Sequence, residues 1–219
     1  MTGSELLAAM GHGRASRPPY VPVVGRLAAE LGQVPFEVYA TDAQAQAMAL
    51  AQTVAALRAD GATVGFGTDP AIGCDVVQRI RPLLSGLGIV ALVEGSDVVA
   101  ARAYCDEGID MVIVIAPELT ARLKTFGNAC RFYEVPTILF DPVLEDAAAV
   151  AAGFGLSGSF VARATGAEPG IVGGGLSIDD LDGPGPPLRP QGFFWSFPVE
   201  VPASTSPERL GELGAKLTA

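Results

Sequence analysis

Short apolar segments recur along this chain at intervals that leave room for one helix each, and this rhythm narrows the fold more than any other feature. They are Thr63–Gly67, Ile89–Glu94, Met111–Ala116, Thr137–Asp141 and Gly158–Arg163, each rich in β-branched or other apolar residues. Runs of this kind read as strands buried on both faces, as in parallel sheets. Between them lie helical stretches at Asp75–Ser85, Asp97–Glu107, Glu118–Tyr133 and Leu144–Ala152. Gly88, Gly108 and Gly155 stand where a helix turns back into a strand. The pattern is that of repeated parallel βαβ units.

The flanks add further elements. Ser4–Met10 reads as a short opening helix, and Pro18, Pro19 and Pro22 keep the following Tyr20–Val24 extended. Thr41 with Gln44 three residues on forms a capping-box pattern that opens a helix running to Ala59, its end marked by Asp60 and Gly61. Gly170 to Ser177 supplies another strand and a tight turn. The proline- and glycine-rich stretch Asp182–Gln191 is a loop, and Phe193–Val201 is the last extended segment. Ser206 as N-cap and Pro207 at the first helical position start a terminal helix. At 219 residues the chain is of the length of one compact domain, and no fixed-period repeat interrupts it.

Charge then limits the partners. A net charge of −10 argues against a nucleic-acid groove and against an anionic membrane surface, since both need basic patches. Apolar residues make up 49% of the chain but fall in short blocks, none of membrane length. Neutral, cationic or locally anchored small molecules are the expected ligands. Cys74, Cys105 and Cys130 are widely spaced and leave one thiol over even if two paired, which fits a reducing compartment. The first ten residues carry Glu5 and no basic flank or sustained apolar segment, so the expectation is a cytoplasmic protein.

Two segments at opposite ends carry a family resemblance. Near the start stands Arg17-Pro18-Pro19-Tyr20-Val21-Pro22-Val23-Val24-Gly25-Arg26; near the finish stands Gly192-Phe193-Phe194-Trp195-Ser196-Phe197-Pro198-Val199-Glu200-Val201-Pro202, then Ser206-Pro207-Glu208-Arg209. This pair resembles the uroporphyrinogen decarboxylase superfamily, which includes the corrinoid-dependent methyltransferases. Leu27 to Gly32, Pro35 to Tyr39 with Thr41 and Asp42, Val64-Gly65-Phe66 and Ala71 to Val76 are similar to its methyltransferase-like branch. The resemblance spans roughly half the chain. It implies a compact (β/α)8 TIM-barrel-like fold over residues 1–219 as a single domain, shortened in the middle because family members are longer.

In such a barrel the working face is the carboxyl end of the strands. The residues that finish the strands here are Asp69, Glu94, Glu118, Asp141 and Arg163, with Arg26 after the first strand. Carboxylates converging with one or two arginines can hold a divalent cation, a protonated acid or a cationic substrate. Asp69 and Asp141 also precede prolines at helix starts, where a carboxylate caps the helix. Both readings stand at this point. The resemblance casts Asp69 as the family aspartate that accepts pyrrole N–H groups, although only Pro70 separates it from Ala71. It casts Arg26 as a contact to substrate carboxylates, with Pro22 in place of the family's partner arginine. Asp69 and Asp141 are thus the catalytic candidates, and Arg26, Glu94 and Arg163 the substrate-binding ones.

The zinc site of the methyltransferases, a His-x-Cys plus a distant Cys, has no counterpart. His12 is the only histidine, no Cys lies two residues on, and Val199 occupies the place of the closing Cys. No zinc site of the family type is expected, while a corrinoid or tetrapyrrole ligand remains compatible with the resemblance. The three cysteines read as small core fillers. Gly173-Gly174-Gly175 reads as a tight turn rather than a phosphate cradle, because Asp179, Asp180 and Asp182 follow at once. Phe193, Trp195 and Phe197 share one face of the last strand and Phe194 and Ser196 the other, so one face is core and the other suits a subunit contact. The expected protein is an enzyme of one-carbon transfer or of decarboxylation of a small carboxylated substrate, working as a homodimer or with a partner subunit. The alternative is a non-catalytic accessory barrel that binds a small molecule beside a partner.

Overall fold

The computed structural model describes residues 21–65, 68–95, 97–115, 121–140, 147–161, 171–175, 193–196, 206, 208–209 and 212. Among the described residues three helices precede the first strand: α1 (Arg26–Leu31), α2 (Phe36–Thr41) and α3 (Ala43–Leu57). Alternation follows with β1 (Gly61–Val64), α4 (Pro70–Ile80), β2 (Gly88–Glu94), α5 (Val98–Asp106), β3 (Met111–Ile115), α6 (Ala121–Phe132), β4 (Thr137–Phe140) and α7 (Ala147–Gly153). β5 (Gly158–Val161), β6 (Ile171–Gly175) and β7 (Phe193–Ser196) complete the sheet.

The strands pair in sequence order from β1 to β7, and every pairing is parallel. Right-handed crossovers between successive neighbours put all the helices on one side of such a sheet. The other side must then be buried by the sheet itself, which is what a barrel does. The side chains divide accordingly. Ala62, Val64, Ile89, Ala91, Val93, Val112, Val114 and Leu139 face outward into a core shared with helical residues such as Leu50, Leu57, Ile80, Tyr104 and Phe126. The residues between them, Val90, Leu92, Met111, Ile113 and Ile138, pack inward with Val21 and Val23. Period two along each strand thus produces two separate apolar layers from one continuous apolar run. Residues 21–24, the described part of the segment expected as the first strand, do not pair as a strand in the sheet; they are tied to β1 where the Thr63 hydroxyl donates to the Pro22 carbonyl at 3.0 Å.

Several element bounds differ from the sequence expectation, each for a local reason. Thr41 does not cap α3: it ends α2, with its hydroxyl donating to the Glu37 carbonyl at 2.7 Å. Asp42 is the cap, accepting from the amides of Gln44 at 2.8 Å and Ala45 at 3.0 Å. α3 stops at Leu57 because Arg58 adopts the left-handed conformation, φ 52°. β1 therefore starts at Gly61 and ends at Val64, earlier than Thr63–Gly67. α4 starts at Pro70 rather than Asp75, with Asp69 capping the amide of Ala71 at 2.8 Å. Gly173, Gly174 and Gly175 are strand rather than turn, in register with Phe194, Trp195 and Ser196 of β7. Ser4–Met10, Asp182–Gln191 and residues 197–201 lie outside the described residues.

The amino ends of the strands carry a structural carboxylate. Asp110, just before β3, accepts from the Ile89 amide at 2.8 Å while its own amide donates to the Ile89 carbonyl at 2.9 Å. Burial pushes its carboxyl above the ordinary aspartate range, against the opposing pull of the Ile89 amide and Arg81. Its ionised form is therefore slightly disfavoured in the fold, and the linked stability is greatest below the ordinary Asp value and lost as pH rises through the raised one. Asp110→Asn keeps an acceptor and sheds the charge, so its stability near pH 7 should equal or exceed the parent's. Asp110→Ala strands the Ile89 amide and should cost about 1–2 kcal/mol. Urea melts of the two variants give the comparison.

Candidate functional site

Residues at the carboxyl ends of β1, β2 and β3, together with residues of α4 and α5, line a cavity of about 420 Å³. Its size is within the usual range for small-molecule sites. Each wall follows from a chain feature already described. Along β2 the inward set Val90 and Leu92 continues to Glu94, so that carboxylate emerges at the mouth, exposed, in register with Ile115 of β3. Gly65, directly after β1, holds φ +89°, and a Cβ there would lie 2.6 Å from the Leu92 carbonyl oxygen. Only glycine fits this bend.

Asp97, at the start of α5, also lines the cavity. One of its oxygens accepts from the Ala100 amide at 2.8 Å, and an ionised carboxylate retains capacity for further donors. Thr68, between β1 and α4, receives a hydrogen bond at 2.9 Å from the buried Gln46 of α3.

Tyr104 of α5 is also among the lining residues. Its side chain is 1% exposed, and its hydroxyl, closed off from solvent, has no hydrogen-bond partner among the described residues. The hydroxyl sits where two glycines leave space: a Cβ on Gly65 would come within 2.8 Å of it, and a Cβ on Gly73 would overlap it outright. Burial raises the phenol's pKa, with Cys74, Asp69 and Asp97 adding to the effect, so it stays protonated at neutral pH. A buried hydroxyl without a partner is costly, which makes it a feature to account for.

The sequence candidates fall into distinct places. Glu94 lines the cavity. Asp69 stands at the same end as the exposed cap of α4. Arg26 opens α1, with its guanidinium 4.8 Å from the centre of the Phe36 ring. Asp141, Arg163 and Glu118 lie outside the described residues, as do His12 and Val199. Among the described residues no group of three or more His, Cys, Asp or Glu side chains is gathered as a metal site. Tyr104 and Asp97 escaped the sequence reading. A lone tyrosine in an amphipathic helix looks like core, and only the two small positions at Gly65 and Gly73 hint that it fills a slot.

The cysteines are buried or half-buried on helices, and all are free. Cys105 is held protonated by its hydrogen bond with Cys130 and by burial. Burial and the carboxylates of Glu107, Asp75 and Asp106 push the Cys74 thiol up to about 11. A thiol so placed is a poor nucleophile near neutrality. Stability linked to it is fully present below the ordinary thiol range and is lost as pH rises through about 11. Alkylation of Cys74 by iodoacetamide, mapped by mass spectrometry, should be slow at pH 8 and climb toward pH 11; rapid labelling at pH 7 would contradict this.

No protein-family model and no curated protein sequence matches the chain. Solved structures do. A methyltransferase from Methanosarcina mazei superposes on 100% of this chain and 98% of its own, with a TM-score of 0.75 and 12% identity. The chain folds as a TIM barrel. The homocysteine methyltransferase MmuM from Escherichia coli matches 96% of this barrel and 99% of its own chain, at a TM-score of 0.60 and 12% identity. The 3-keto-L-gulonate-6-phosphate decarboxylase from Vibrio cholerae covers 92% of the barrel and 99% of its own chain, at 0.57 and 13%. At these identities the likeness is one of fold. The cavity therefore opens at the barrel face where active sites are built, the carboxyl ends of the strands. Among the described residues no helix of the barrel is long and apolar enough to cross a membrane.

Proposed function

We propose that this barrel is a one-carbon transfer enzyme akin to the methyltransferase-like branch of the uroporphyrinogen decarboxylase superfamily. Its small methyl donor or acceptor would bind in the cavity above β1 to β3. The observation that carries the choice is the charge of the described lining, which holds Glu94 and Asp97 and no lysine or arginine. Such a wall suits a neutral or cationic group better than the carboxylated substrate of a decarboxylase. Arg26, the residue that would receive a carboxylate, is not among the described lining residues, and its guanidinium lies over the Phe36 ring. A corrinoid, as methyl carrier, would supply a transferable methyl group, and it is too large for a cavity of about 420 Å³. It would have to meet the mouth from outside. Fold likeness alone does not fix the reaction, because function belongs to the site.

The accessory reading keeps one observation in its favour: Asp69 and Asp97 both serve as helix caps. Assembly as a homodimer or with a partner subunit is part of the proposal, with β7 near the contact, and light scattering at micromolar concentration checks it. The decisive assay supplies methylcob(III)alamin carrying a ¹³C methyl group, together with a mixture of small amines and thiols, and follows the label by NMR. Protein-dependent movement of the label to an acceptor is the expected result. No movement, with hydroxocobalamin failing to bind as well, would overturn methyl transfer and leave the accessory barrel.

A further inference from the structure

Cys105 and Cys130 occupy matching places in successive helices of the barrel wall. Cys105 stands immediately before Asp106, the last residue of α5, and Cys130 lies in the last turn of α6, which ends at Phe132. The Cys105 carbonyl accepts from the Gly108 amide at 2.9 Å, and the Cys130 carbonyl from the Tyr133 and Val135 amides at 3.0 and 3.1 Å, where each helix gives way to the next strand. α5 and α6 pack side by side. Their helical phases turn both thiols into the outer core, Cys105 next to Ala101 and Tyr104 on the buried stripe of α5, Cys130 one turn after Phe126. There the two side chains share a hydrogen bond, and the Thr137 hydroxyl at the start of β4 reaches the Cys130 sulfur as well. Asp106 accepts from the Tyr133 hydroxyl beside them, a second contact that holds the two helix ends in register. Small core filling explains why each cysteine is buried. It does not explain why two of the three meet sulfur to sulfur across a helix pair.

We propose that Cys105 and Cys130 form a reversible disulfide site, oxidised by a small-molecule disulfide of the glutathione class, that staples α5 to α6. Sulfurs already in contact need only a short further approach to reach the bond length of about 2.05 Å. Both are closed off in the packed fold, Cys105 at 5% and Cys130 at 0% exposure, so the reaction runs through opening of the helix ends, the turns that open most readily. One cysteine, as its thiolate, attacks a sulfur of the oxidant; a mixed disulfide forms and one small thiolate leaves. The second cysteine then attacks the sulfur of the first, the Cys105–Cys130 bond forms and the other small thiolate leaves. Two cysteine thiols give up two electrons and two protons, and one small disulfide becomes two thiols. Repacking of the helix ends favours the product. The fold holds the two sulfurs together, whereas an open chain must close the loop from 105 to 130 at an entropic cost. Cys74 is left as the odd thiol. The site is independent of what the cavity binds.

The test equilibrates the full chain with a buffer of glutathione and glutathione disulfide, once under native conditions and once in concentrated guanidinium chloride. After an acid quench, remaining thiols are alkylated in the unfolded chain and mapped by mass spectrometry. Under native conditions a linked Cys105–Cys130 peptide should appear, with Cys74 alone alkylated. The ratio of linked to open chain should be about a hundredfold higher in the native sample than in the denatured one, the preference of the fold for the closed loop. The same preference should raise the melting temperature of the oxidised protein by roughly 5–10 °C, reversed by dithiothreitol. Cys74→Ala should leave both effects in place, and Cys105→Ala should remove both. The readouts on the parent chain decide the matter without any variant. Three alkylated cysteines after native equilibration would overturn the proposal, as would a disulfide that includes Cys74. A linked-to-open ratio no higher than in denaturant, or an oxidised protein that melts below the reduced one, would do the same, because the fold would then not be built to accept the bond.

Discussion

Replacing Phe126 with alanine should cost about 3–5 kcal/mol, a large share of the stability of any domain of this size. Phe126 lies on α6, fully buried at 0% exposure in the outer apolar layer between helices and sheet. The wall it packs on is the outward set of β-strand residues, which cannot move without dragging the inward set with it. Collapse around the deleted ring is therefore limited, and the cavity term of the penalty persists. Six residues on along the same helix, Phe132 is 84% exposed. Phe132→Ala should change stability by less than about 0.5 kcal/mol and serves as the paired control. Thermal melts should separate the two by several degrees, at about 2–4 °C per kcal/mol for a chain of this length. Equal shifts would mean that the outer layer is not the load shared by helices and sheet.

That contrast also shows why the fold was readable in the residue string and where reading stopped. Met111–Ile115 and Thr137–Phe140 could be marked as strands because a wall buried on both faces needs an unbroken apolar run. α1 and α2 left no such trace: each has six residues, less than two turns, too few for a helical period to register. The start of α4 was hidden for a different reason. Gly73 interrupts its first turns and lowers local helix propensity, so the sequence pattern pointed to a later start. In the barrel that glycine is required by a side chain from another helix, Tyr104, thirty-one positions away. Glu94 was legible because a carboxylate ending an apolar strand has only the mouth to occupy. Asp69 stayed ambiguous, since a cap and a ligand group occupy the same place at a helix start. Tyr104 was not legible at all: its meaning lies in an unpartnered hydroxyl, and hydrogen-bond partners are a property of the packed chain.

The second large effect is expected at Gly73. On propensity alone, Gly73→Ala in the interior of α4 should stabilise the helix by up to about 1 kcal/mol. Packing reverses the sign. The new methyl group would overlap the Tyr104 hydroxyl and stand 2.7 Å from its ring carbon Cζ and 3.0 Å from Cε1. Tyr104 is 1% exposed and cannot swing into solvent. The expected net loss is about 3 kcal/mol, at the upper end of the overpacking range. Tyr104→Phe should relieve little of it, because the ring carbons clash as well as the oxygen. Tyr104→Leu, which removes the ring edge, should restore part of the loss in the double variant, and a double-mutant cycle should return a coupling of about 1–3 kcal/mol. A cycle with no coupling would show that the slot between Gly65 and Gly73 does not hold the phenol in place.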